Sequence, residues 1–229
     1  MEHPSEDPYP RPEPVPHDAT AWVVERSIAC PALVPPSNNA FISVIEDRRT
    51  VRDISPAPLR EVVNAVAFAS RPRFLRENDA YFRSLRPSIS AGALHPIEII
   101  LFHPRGSPRV YQYCPRRHQL NRLPVEDLAA LDAFRTECRT VLPFGRGTLL
   151  VLIGRPGLVK AHYENHISLY WRDAGALLQT LAFICTAFRL AFCPLGILGG
   201  QMVEALNLDP AINVAVGVAM IGRRPTTSD

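Results

Sequence analysis

Arg86-Pro-Ser-Ile-Ser-Ala-Gly-Ala-Leu-His-Pro-Ile-Glu-Ile-Ile-Leu-Phe102 changes character halfway along, and that change decides how the chain is read. From Ile97 to Phe102 it is an apolar run of strand length, which predicts a buried strand. From Ser88 to Ala93 it is built mostly of small residues between two prolines. Small side chains fill no space. They leave backbone N–H groups, two hydroxyls and Gly92 open to something flat or anionic. The same residues also suit an ordinary loop before a strand, and local physics alone does not separate the two.

On the C-terminal side, His103 to Pro108 is a turn and Val110–Cys114 alternates as a second strand, so a hairpin is predicted. Val125 to Cys138 has the pattern of an amphipathic helix. Thr148 to Ile153 is a continuous apolar strand of central type, closed by Gly154. Asp173 to Leu190 is apolar on nearly every face and predicts a central buried helix. It is followed by Phe192-Cys-Pro-Leu-Gly-Ile-Leu-Gly-Gly200, a glycine-rich segment that serves either close approach to a ligand or a plain turn. A helix starts near Gln201. Val214 to Ile221 is another buried strand, running into Gly222-Arg223-Arg224.

On the N-terminal side, Pro56 to Phe68 carries Leu59, Val62, Val63, Val66 and Ala67 at helical spacing. Residues 69–85 are an arginine-rich connection. Ala40 to Glu46 reads as a helix capped near Ser37 to Asn39. It leads into Arg48-Arg-Thr-Val-Arg52, which is either a solvated helix end or a phosphate grip, since arginine gives bidentate contacts to phosphate oxygens. Prolines at 4, 8, 10, 12, 14 and 16 make residues 1–20 an extended or disordered arm, free to lie on a neighbouring subunit. Residues 21–229 are then one domain.

The chain has 229 residues, 47% of them hydrophobic, enough for a sizeable core. Its net charge of +3 is uneven: residues 1–20 carry five acids against Arg11, which leaves +7 on the remainder. That mild excess suits an anionic small ligand and lacks the dense basic stripe of a nucleic-acid binder. The five cysteines include no C-x-x-C pair and no signal peptide precedes them, which predicts free thiols in a reducing cytoplasm. The longest apolar stretch is too short and too polar for a membrane span. His162-Tyr-Glu-Asn-His166 is not the H-E-x-x-H zincin pattern and has no evident third ligand, so no metal site is assigned.

In this order the pieces resemble the nitroreductase superfamily, and within it the SagB-type dehydrogenases. Arg48-Arg-Thr-Val-Arg52 is similar to an N-terminal Arg-Arg-Ser/Thr-x-Arg segment. Residues 86–98 are similar, nearly letter for letter, to a central Arg-Pro-Ser-x-Ser-Ala-Gly-Ala-Leu-His/Tyr-Pro-x-Glu motif. Tyr111 to His118 resembles the hairpin that follows, Asp173-Ala-Gly-Ala-Leu-Leu-Gln179 a Glu-Ala-Gly-His-x-x-Gln helix, and Pro194 to Gly200 a flavin loop. The resemblance spans about residues 40–224.

It implies an α+β fold, a mixed or antiparallel sheet flanked by helices, in a homodimer with FMN at the subunit interface. Arg48, Arg49, Thr50 and Arg52 would hold phosphate and ribityl oxygens. Ser88, Ser90, Ala91 and Gly92 would line the isoalloxazine edge. Leu195, Gly196 and Ile197 would offer backbone groups, and Arg223 or Arg224 would reach the phosphate. The implied chemistry is hydride transfer between flavin and a biosynthetic, peptide-derived, azoline-like substrate, with a biosynthetic partner enzyme. A nicotinamide-dependent nitro or quinone reductase and a flavin-free scaffolding subunit are the alternatives. The family's adjacent Lys-Tyr pair falls where this chain reads Lys160-Ala-His-Tyr163, so Lys160, His162 and Tyr163 are the candidate proton-handling groups. Lys160, the only lysine, and Tyr163 are three apart and would share a face if that segment is helical.

Overall fold

A computed structural model describes residues 6–36, 40–76, 79–103 and 109–225. In chain order the first elements are β1 (Tyr9–Pro10), β2 (Arg26–Ala29), α1 (Phe41–Asp47), α2 (Leu59–Ser70), β3 (Phe74–Leu75) and β4 (Ser84–Leu85). After a 3-10 turn at Ala91–Ala93 come β5 (Ile97–His103), β6 (Arg109–Cys114), β7 (Gln119–Leu123), α3 (Leu128–Val141) and β8 (Thr148–Gly154). The remainder is α4 (Pro156–Lys160), β9 (Tyr163–Glu164), α5 (Ile167–Ala187), β10 (Leu190–Leu195), α6 (Gly200–Ala205) and β11 (Val214–Arg223).

Seven strands form one sheet in the order β10-β11-β8-β5-β6-β7-β2, with every neighbouring pair antiparallel. The architecture is α+β, an antiparallel sheet with helices on both faces. Strand alternation divides the core. Ile97, Ile99 and Leu101 belong to the cluster built with α2 and α5, while Ile100 and Phe102 belong to the cluster built with α3 and α6. Strands covered on both faces have no solvent side, which is why β5 and β8 read as unbroken apolar runs. In β11 the pairing with β8 slips between Ala215 and Gly217. The bulge reverses the alternation, so that Val216, Ala219 and Ile221 share one face although their numbers differ in parity.

The predicted hairpin forms from β5 and β6, with Ile99 opposite Tyr113; its turn, residues 104–108, lies outside the described residues. The helix expected over 40–46 is α1; Ala40 stands at its N-cap without a side-chain hydrogen bond, and the expected cap at 37–39 lies outside the described residues.

Two boundaries differ from expectation. The long helix α5 begins at Ile167, right after Asn165 turns the chain with φ 49°, not at Asp173. It ends where Arg189 adopts φ 57°, so Leu190 already opens β10. Glycine is the usual residue at such a left-handed helix end, and an arginine there gives no stop signal in the sequence. The segment from Phe192 to Leu195, read as part of a loop, is strand paired with β11, with Pro194 opposite Ala219. β10 lies at the sheet's edge, where a residue without an N–H is tolerated. Nor is α5 covered all round. Its buried residues, among them Leu169, Asp173, Leu177, Leu181 and Cys185, form one stripe at spacings of three and four, while Trp171, Gly175 and Gln179 are exposed.

The proline-rich arm is extended, and its described part lies on its own chain: β1 pairs with β9, Tyr9 opposite Glu164. Among the described residues all five cysteines are free, no helix is long and apolar enough to cross a membrane, and no group of three metal-ligating side chains is found.

Candidate active site

The small-residue turn between β4 and β5 is held from below by the long helix. The Asp173 carboxylate accepts a hydrogen bond from the Ser90 hydroxyl at 2.5 Å and another from the Ala91 N–H at 3.3 Å. Ser90 Oγ in turn accepts the His95 N–H at 2.8 Å. These bonds stabilise a backbone that local preferences resist: Gly92, Ala93 and His95 all have φ near +50°, and only the first is glycine. Burial pushes the Asp173 carboxyl above its ordinary range, and the bonds from Ser90 and Ala91 partly oppose that shift. His95 Nε2 donates to the Ser84 carbonyl at 2.8 Å; burial, with the Arg86 charge adding to it, lowers its pKa to about 4, so the ring is neutral near pH 7. Arg86 is itself lowered to about 10 by burial, against the pull of Glu98, and remains a cation. Glu98 completes the buried network by pairing with Arg155 at 3.2 Å and accepting from Gln112 at 3.1 Å.

One face of α5 continues from that turn to the arginine segment. Gly175, Leu178, Gln179 and Ala182 line a cavity of about 180 Å³ together with Arg48, Arg49, Thr50, Phe192 and Pro194. Asp173 and Gln179 are six residues apart, about 9 Å along the helix axis. The segment 48–52 is fixed there by the bond from Val51 N–H to the Phe192 carbonyl at 3.1 Å. Arg49 donates to the carbonyls of Glu46 and Arg48. Arg48 and Arg52 have no ion pair among the described residues. Arg52 lies close enough to Cys193 to oppose, by its charge, the rise that burial gives that thiol.

Gly175 is the informative residue of this cavity. Glycine inside a helix costs about 1 kcal/mol relative to alanine. A Cβ there would meet nothing within 4 Å, so packing within the chain does not call for it. The bare backbone leaves that face of the helix open. Gly196 is open in the same way, beside Leu195 in β10 and Ile197, whose carbonyl accepts the Val218 N–H at 3.2 Å.

The second arginine pair is placed elsewhere. Arg223 is engaged with Glu61, its Nε 3.1 Å from Oε2, and its backbone pairs with Ser55. Arg224 lines a separate cavity with Ser43, Asp47, Thr186 and Arg189. Neither lines the cavity of Arg48–Thr50 within this chain.

Lys160 is the last residue of α4 and is exposed, whereas Tyr163 begins β9, so the two do not share a helix face. The helix ends in a tightened turn, with the His162 N–H on the Val159 carbonyl at 3.0 Å. Tyr163 covers the small-residue turn: a Cβ on Gly92 would lie 2.9 Å from its hydroxyl. His162 Nδ1 donates to the Leu158 carbonyl at 3.0 Å, and its ring meets Tyr81 edge-on with centroids 4.3 Å apart. Its Nε2 is buried with no partner among the described residues. Composition and motif order missed Asp173 as the anchor of the turn and Phe192 as a wall of the cavity. The spacing of Gly175, Leu178, Gln179 and Ala182, three and four apart, is the signal that places the others on one helix face.

No family model matches the chain, and no curated protein does. Solved structures do match. A protein from Ralstonia eutropha JMP134 described as a nitroreductase superposes with TM-score 0.66 over 96% of this chain and 100% of its own, at 18% identity. The Escherichia coli microcin synthetase McbBCD complex, with truncated pro-MccB17 bound, matches over 90% of this chain and 79% of the other, at TM-score 0.56 and 17% identity. A protein from Desulfovibrio desulfuricans described as a nitroreductase in complex with FMN matches over 84% and 91%, at TM-score 0.52 and 15% identity. The class is therefore an antiparallel α+β sheet with a long helix between two small-residue segments. More particularly, the chain has the nitroreductase fold.

Proposed function

We propose that the protein is an FMN-dependent oxidoreductase of the SagB-type dehydrogenase kind, acting as a homodimer on a peptide-derived, azoline-like substrate. The observation that carries this reading is Gly175, a helix-interior glycine facing open space beside Arg48, Arg49 and Thr50. Guanidinium groups without an ion pair among the described residues suit a dianionic phosphate, and a bare helix face suits a flat ring or chain laid against it. When bound, FMN would supply hydride acceptance and donation. The chain's own residues would do the rest. Arg48, Arg49, Thr50 and Arg52 would bind the phosphate and ribityl oxygens, and Ser88, Ser90, Ala91 and Gly92 would border the ring. Leu195, Gly196 and Ile197 would contribute backbone groups.

The exposed apolar residues Phe41 and Ile42 of α1 and Trp171, about one turn before Gly175 on α5, support completion by a second subunit, which is also where Arg223 or Arg224 would enter the site. Of the three candidate proton-handling groups, Tyr163 is favoured over His162 and Lys160 because its hydroxyl lies against Gly92. Likeness to the microcin synthetase complex with truncated pro-MccB17 bound supports a peptide-derived substrate and a partner enzyme, and the free thiols suit a reducing cytoplasm.

The test is the purified protein's visible spectrum together with Gly175→Leu. Flavin bands in the wild type and their loss in Gly175→Leu, with unchanged far-ultraviolet circular dichroism, are expected. A colourless wild type that also fails to take up added FMN refutes the reading and favours a scaffolding subunit.

A further inference from the structure

The prolines of the arm stand at 8, 10, 12, 14 and 16, so every backbone N–H between Tyr9 and Val15 belongs to an odd position. In an extended chain alternate residues point their N–H groups to the same edge. The arm therefore has donors along one edge and none along the other. It can pair with one neighbour and offers no donor to a second.

The donor edge is in use. Arg11 N–H donates to the His162 carbonyl at 2.7 Å and Val15 N–H to the Ala161 carbonyl at 2.9 Å. Arg11 Nε donates to the Lys160 carbonyl at 3.1 Å, and its terminal nitrogen lies 3.1 Å from a Glu164 oxygen. What the body presents is a row of carbonyls from 160 to 162 and one carboxylate. That surface recognises an extended backbone carrying a guanidinium; among the arm's other side chains, His17 stacks on Tyr81.

Close to His17 of the arm, His162 Nε2 and Arg155 Nε are buried and have no partner among the described residues, so the arm leaves two donors or acceptors unused. The groove adjoins the small-residue turn, because Tyr163, next to its last carbonyl, packs on Gly92.

We propose that the edge formed by residues 160–164 binds an extended, arginine-bearing peptide segment of another chain, which enters by displacing residues 9–15 of the arm. The site itself rests on this geometry; calling such a peptide a substrate rests on the flavin reading above.

The test uses the full-length protein and a fluorescein-labelled synthetic peptide of residues 6–18, followed by fluorescence anisotropy. A tethered arm competes at an effective concentration on the order of millimolar. Arg11→Glu, which sets a carboxylate against Glu164, and Val15→Pro, which removes one N–H donor, should each bind the peptide at least tenfold more tightly than the wild type. Adding Glu164→Arg to either should abolish binding. Having two unlike arm variants guards against one that misfolds, which circular dichroism would reveal.

No binding by either folded variant overturns the proposal, as does binding that Glu164→Arg leaves intact. Binding that appears only as a dimer dissociates in sedimentation would assign the groove to a second copy's arm, and overturns it too. Repeating the titration on flavin-stripped protein separates the two readings. Peptide binding by protein that never takes up FMN keeps the groove and removes the oxidoreductase; FMN without peptide binding does the reverse.

Discussion

Replacing Asp173 by alanine tests whether the long helix holds the small-residue turn in place. The substitution removes the acceptor for the Ser90 hydroxyl and the Ala91 N–H. A hydrogen bond to a charged group contributes about 1.5–3 kcal/mol, and the longer bond from Ala91 contributes less. Against this, alanine relieves the cost of burying a carboxylate, the same cost that raises its pKa. The net loss should be about 2 kcal/mol. For a chain of this size that lowers Tm by about 4–8 °C.

Urea unfolding followed by circular dichroism gives the free energies. The decisive comparison is the double-mutant cycle with Ser90→Ala, which also frees the His95 N–H. The double variant should be less destabilised than the two singles together, by about 1 kcal/mol. Additivity within about 0.3 kcal/mol would show that the pair is not coupled and that the turn is held by something else.

Asp173→Asn keeps one acceptor and should cost about half as much as alanine. Its pH dependence has a definite sign. Because burial raises the folded carboxyl above its ordinary 3.8, the folded state holds this proton more tightly than the unfolded chain. The contribution is fully present below 3.8 and is lost as pH rises through the folded value, so Asp173→Asn should gain on the wild type over that interval.

Two further outcomes are expected. Gly222→Ala should destabilise by roughly 1–3 kcal/mol or more, since its Cβ would lie 2.2 Å from the Ser55 carbonyl oxygen, whereas Gly200→Ala, with nothing within 4 Å, should not; a similar urea midpoint for both would refute the packing at the Ser55–Arg223 bridge. The seated arm should loosen in acid: His17 is held below its ordinary 6.5 by burial, then by Arg155 and His162 against the opposing Asp18, so its contribution to seating is fully present above 6.5 and is lost as pH falls through the lowered value. Amide exchange at Arg11 and Val15, corrected for its intrinsic rate, should be faster at pH 5.5 than at pH 7.5, and His17→Asn should erase the difference; exchange independent of pH in the wild type would count against it.

Strands β5, β8 and β11 were legible one by one, because they are buried on both faces and local apolar runs suffice to mark them, whereas β10 read as a loop. So were the two segments of unusual composition, the arginines at 48–52 and the small residues at 88–93, whose residue types follow from what they leave open. The sheet order was not legible, since it depends on which edges meet, and neither was the Ala215–Gly217 bulge that reverses β11. Two glycines show the limit most plainly. Gly175 and Gly222 look alike in sequence, yet one faces open space on a helix and the other is pressed against the Ser55 carbonyl. Only the neighbours that tertiary contact brings to each decide that the first stands open and the second is closed in by packing. The arm divides the same way. Alternating proline dictated an extended chain with donors on one edge. That the edge would be satisfied by Ala161 and His162 of the same chain was fixed by the fold alone, through where α4 ends and β9 begins.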